Sequence, residues 1–186
     1  MKFKKWYQQF SSALLLALGL SVMGQAAQAQ DRGPSTEQER ARVVQIAEAT
    51  NKDPLGLMRS ADGRWFTKWA QDVPDYTFAP DAGIFWFKTG MDKEEIKGDM
   101  IKVARFVHGV NTAAYQVQHG ILEPHQKAEE SLQVTLAGMN GLLTAYENLR
   151  DKSPDNRSAY LDLALEKRQS GKLLEFVQSL PPLPKR

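Results

Sequence analysis

The chain has 186 residues, no cysteine, and 24 basic against 22 acidic side chains, for a formal net charge of +2. Lack of cysteine excludes disulfides, a thiolate nucleophile, a cysteine zinc site, covalently attached c-type haem and a lipoprotein anchor. A nearly balanced charge with mixed signs gives no general basis for binding nucleic acid or an anionic membrane surface.

Residues 1–29 read as a cleavable signal peptide. Lys2, Lys4 and Lys5 form a positive start, Ala13 to Gly19 is apolar, and Ala27-Gln28-Ala29 has the small-x-small pattern of a cleavage site before Gln30. The apolar run is shorter than the roughly 20 residues of a membrane-spanning helix, so an uncleaved anchor is the lesser reading and membrane contact ends with cleavage. Removing three lysines and no acid brings the charge to about −1 over about 156 residues. The expected location is the periplasm, with secretion as the alternative, where a cysteine-free domain relies on its core alone. Residues 30–180 are expected to form one all-helical domain, followed by a Pro-rich tail over 181–186. That tail reads as a frayed terminus rather than a polyproline ligand.

Along the mature chain, Ser35 with Gln38 three residues on predicts a capping box for a first helix. Its apolar face is Val43, Val44, Ile46 and Ala47, and Asn51 stops it. Asp53-Pro54 reads as cap and first residue of a second helix carrying Leu55, Leu57 and Met58, which Asp62-Gly63 should break. Arg64 to Gln71 is expected to be helical, with Trp65 and Trp69 one turn apart. Pro, Asp and Gly punctuate Val73 to Gly90, which predicts a long ordered loop with a short extended piece at Ile84 to Lys88.

The longest regular pattern runs from Asp92 to Leu122. Ile96, Met100, Val103, Val107, Val110, Ala114, Val117 and Ile121 recur at alternating steps of four and three, a seam along one long helix capped by Asp92 and Glu95. Gly120 to Pro124 is a tight connection into a second long helix reaching about Lys152, with Ala128, Leu132, Leu136, Met139, Leu143, Tyr146 and Leu149 on one face. A short link makes the two helices antiparallel neighbours. After Ser153 to Asn156, a helix from about Arg157 presents Tyr160, Leu161, Ala164 and Leu165 and stops at Ser170-Gly171. A last short helix carries Leu173, Leu174, Phe176 and Val177. The predicted class is all-α, a helical bundle organised on a long antiparallel hairpin (about 92–122 and 124–152), with shorter flanking helices and an aromatic-rich loop.

No nucleophile elbow, phosphate loop, dinucleotide glycine cluster or His-Glu-x-x-His occurs in the mature chain, and no Glu-x-x-His pair of a di-iron bundle is present. Catalytic residues, a metal site and a cofactor are therefore not assigned, although paired carboxylates on separate helices would leave no local mark. His108 and His119 are eleven residues apart, on one helical face but about 16 Å along the axis, too far to share a metal ion. His119 and His125 flank the turn with Glu123 between them, which suits wet turn residues better than a metal site. A haem between His108 and Met100 or Met139 is the sharper alternative, against which both methionines read as core filler. His108, Asn111, Tyr115 and His119 form a polar stripe beside the seam.

Eight of the thirteen aromatics beyond the signal peptide lie between Trp65 and Phe87, interleaved with Asp72, Asp75 and Asp81. Rings offer large contact area with few rotors, so they serve hot spots and pockets as well as they anchor a loop to a core. The binding candidates are Trp65, Trp69, Tyr76, Phe85, Trp86, His108, Tyr115 and His119. The expected role is a non-enzymatic accessory protein whose aromatic loop meets a protein partner of the cell envelope. A small-ligand binder with an aromatic-lined pocket is the first alternative, and an envelope enzyme the second.

Overall fold

A computed structural model describes residues 32–78 and 100–180, and everything below concerns those residues. They form seven α-helices and no strand: α1 Glu37–Lys52, α2 Pro54–Arg59, α3 Ala61–Asp72, α4 Met100–His119, α5 Ala128–Leu149, α6 Ala159–Gln169 and α7 Leu173–Ser179. The all-α class follows from the sequence periodicity as expected. The cleavage site, the extended piece at 84–88, the Asp92 and Glu95 cap, Ile96 and the tail at 181–186 lie outside the described residues.

Local chemistry sets most helix ends. Thr36, rather than Ser35, caps α1: its hydroxyl accepts from the Glu39 amide at 3.2 Å, and the Glu39 carboxylate accepts from the Thr36 amide at 2.9 Å. The box is one residue later than predicted because Ser35 has a tertiary partner, described below. Asp53 caps α2 with Pro54 in its first turn, as predicted. Asp62-Gly63 does not break the chain. Ser60 ends α2 and starts α3, accepting from the Gly63 amide at 3.1 Å, and residue 63 has to be glycine there because a Cβ would sit 2.3 Å from the Leu57 carbonyl oxygen.

Gly120, with φ +65°, ends α4 in the left-handed conformation. Pro124 opens a single 3-10 turn rather than the long helix, which begins after Lys127. Gly171, with φ +73°, stops α6 near the predicted point.

Two apolar clusters make the core. In one, Met100, Val103, Ala104 and Val107 of α4 meet Met139, Leu142, Leu143 and Tyr146 of α5, together with Leu161 and Leu165 of α6 and Leu173 and Val177 of α7. In the other, Val110, Ala113 and Ala114 of α4 meet Val43, Ile46 and Ala47 of α1 and Phe66 and Trp69 of α3. The helix α4 therefore serves both clusters in succession. Its buried surface is wider than a heptad seam, since His108, Thr112 and Gln116 are buried as well. The predicted face of α5 was likewise too narrow: Gly138, Gly141, Leu142 and Ala145 are buried, while Ala128 is exposed.

Gly138 and Gly141 allow α4 and α5 to approach closely. A Cβ on residue 138 would lie 2.6 Å from His108 Nε2 and from Thr112 Cγ2, and one on residue 141 would lie 2.1 Å from Asn111 Cγ.

Candidate functional site

The aromatic residues of α3 and the segment after it form a continuous stack. Trp65 and Trp69 are one helical turn apart and lie with centroids 6.0 Å apart at 20°. Tyr76 and Phe78 stack on each other at 5.8 Å and 3°, and both lean on Trp69, Phe78 at 5.5 Å. This strap over residues 73–78 is tied down by polar bonds at both ends. The Asp75 carboxylate accepts from the Ser35 amide at 2.9 Å and from the Ser35 hydroxyl at 2.7 Å, and Arg40 donates to the Ser35 carbonyl at 2.6 Å. The Thr77 amide donates to the Leu122 carbonyl at 2.8 Å, and the Gln116 amide donates to the Thr77 carbonyl at 3.2 Å. Burial pushes the Asp75 pKa up, but the two Ser35 bonds and Arg40 outweigh it and hold the carboxyl below its ordinary value.

Two of the candidate rings, Trp69 and Tyr76, lie inside the bundle. Trp69 is 1% exposed and Tyr76 is buried, so both are core that fixes the strap onto the bundle. His108 is also core, because the two glycines of α5 bring that helix onto the face it occupies. The polar stripe thus points mostly at α5. Its far end is the most exposed part, and there the His119 ring lies 3.9 Å from that of Tyr115. Phe85 and Trp86 lie outside the described residues. Met100 and Met139 are packed into the apolar cluster, and among the described residues no three His, Asp or Glu side chains are grouped to hold a metal ion.

Of the predicted rings on α3, Trp65 is the one that is partly exposed. The Arg42 guanidinium lies 4.1 Å over its indole, which also stacks with Trp69. Arg42 also pairs with Asp62 at 2.6 Å, so α1 and α3 are cross-braced above a shallow cleft of about 540 Å³. Gln38, Ala41, Gln45, Ile46 and Ala49 line that cleft from α1, and Leu57 from α2. Spacings of three and four put the α1 residues on one face. Arg42 carries no mark in the sequence, and Asp62 and Leu57 read there only as a helix break and an apolar helix position, since nothing local marks three residues on three helices as neighbours.

A second cleft, about 550 Å³, opens at the turn between α4 and α5, lined by Tyr115, Ile121, Lys127, Glu129, Glu130 and Gln133. Lys127 pairs with Glu130 at 2.6 Å. Glu129 and Glu130 are adjacent on a helix and diverge by about 100°, so they do not form a facing carboxylate pair.

No protein-family model matches the chain, and no curated protein or solved structure matches it.

Proposed function

We propose that this is an exported, non-enzymatic accessory protein of the cell envelope that docks a protein partner on the α1–α3 face. The observation that carries the reading is the Arg42–Asp62 pair lining the α1–α3 cleft, with the Arg42 guanidinium seated over the Trp65 ring. Tryptophan and arginine are the residue types most enriched among interface hot spots. Here both are held before any partner arrives, which reduces the ordering cost of association. The docking centre therefore shifts from the buried rings to Trp65, with Tyr115 and His119 outside it. Export rests on the pattern of residues 1–29 and predicts a mature chain beginning at Gln30.

A photo-crosslinking residue at Gln45, inside the cleft, tests the docking. A discrete adduct from the envelope is expected, absent when the crosslinker is moved to Glu175 on α7 and reduced about tenfold or more by Trp65→Ala or Arg42→Ala, in line with hot-spot losses above about 1.4 kcal/mol. Adducts that form equally from both positions, or that ignore both substitutions, would reject the reading.

A further inference from the structure

His108 is 1% exposed on α4, and its Nε2 has no hydrogen-bond partner. From α5 it faces the backbone at Gly138, where a Cβ would be 2.6 Å from Nε2 and 2.7 Å from Cδ2. From its own helix it faces Thr112, whose hydroxyl donates to the Gly109 carbonyl at 2.9 Å. Asn111, the next polar side chain, donates to the Val107 carbonyl at 2.8 Å. Among the described residues no carboxylate or cation of α1, α2 or α5 acts on the ring, and burial alone holds its pKa down to about 3. A protonated imidazole carries two N–H donors and a charge. At this position the Nε2 donor would meet no acceptor, and the Gly138 backbone packs directly against the ring.

We propose that the α4–α5 contact is an acid-released joint, in which protonation of His108 parts the two helices and uncovers the His108–Gly138 surface. The closed form resists the proton and the open form accepts it near the ordinary histidine value of 6.5, so the joint is fully closed above that pH and loosens as pH falls. Linkage gives a rise of about 30-fold in the open-to-closed ratio between pH 8 and pH 5. The inference is independent of the docking face on α1 and α3.

Hydrogen exchange of the α4 and α5 amides, corrected for intrinsic rate, reads the ratio directly. Protection over 104–112 and 134–142 is expected to fall about 30-fold from pH 8 to pH 5 in the unsubstituted protein, and by less than about 3-fold in His108→Gln and His108→Phe. An unchanged protection in the unsubstituted protein, or the same fall in all three proteins, overturns the proposal. The histidine ring resonances of the unsubstituted protein supply a measurement that needs no variant. His108 in the closed form is expected not to titrate between pH 8 and pH 5, and a ring that titrates near 6.5 while α4 and α5 stay protected overturns the joint even if both variants fail to fold.

Discussion

Single atoms decide how α4 and α5 fit. At Gly138 an added methyl group would strike the His108 ring and Thr112, both buried and unable to move aside. Overpacking of this kind costs about 1–3 kcal/mol, against about 1 kcal/mol gained in helix propensity. Gly138→Ala is therefore expected to lower stability, by up to about 2 kcal/mol. At Gly141 the obstacle is the terminal amide of Asn111, which is only half-buried and can swing away. Its bond to the Val107 carbonyl is lost, propensity is gained, and Gly141→Ala is expected to lie within about 0.5 kcal/mol of the parent. Urea denaturation of the two variants checks the contrast. If Gly138→Ala is the milder change, the close approach at His108 is not as described.

Tyr146 is a second residue whose role is local and specific. Its hydroxyl accepts from the buried Ser158 amide at 3.0 Å and bonds the Asp162 carboxylate at 3.0 Å, which pins the start of α6 against α5. Tyr146→Phe leaves the Ser158 amide buried without a partner, and a loss of about 1–3 kcal/mol is expected in the same denaturation assay.

Among the elements, the strap over 73–78 behaves least like its sequence. Its rings suggest a displayed surface, but its polar residues anchor it: Asp75 to Ser35 at one end, Thr77 to Leu122 and Gln116 at the other. Asp75→Ala removes both acceptors of Ser35. The expected result is a loss of about 1–3 kcal/mol with a red shift of tryptophan emission as Trp69 gains water. Emission that does not change would mean the rings, rather than the latch, hold the strap. Because the Asp75 pKa is lowered in the folded chain, this latch contributes its stability above the ordinary carboxylate value of 3.8 and loses it as pH falls below that value. It therefore titrates in a different window from His108. The same bonds explain the displaced cap of α1. Ser35 and Thr36 are equally suited to capping by type, and the choice falls to Thr36 because Ser35 is taken by a carboxylate forty residues away.

For the whole molecule, α4 is the common wall of two clusters, so any force that parts it from α5 affects the packing of α6 and α7 as well. The alkaline side has its own limit. Burial pushes the Tyr146 pKa up to about 12 and raises that of Tyr160. The unfolded chain thus releases these protons first, and stability is expected to decline as pH rises from about 10 toward 12. Urea midpoints at pH 9 and pH 11 check this, and Tyr146→Phe should flatten part of the slope. A midpoint unchanged at pH 11 would place these hydroxyls in water.

The all-α class and the existence and order of most of the described helices are legible in the sequence alone. These depend on period, caps and punctuation, which act within a few residues. Tertiary packing alone makes Trp69, Tyr76 and His108 interior, leaves Trp65 partly exposed, and sets Arg42, paired with Asp62, over its ring. Periodicity assigns a residue to a face. Whether that face meets water depends on how closely another helix can come, and here that distance is set by two glycines on α5.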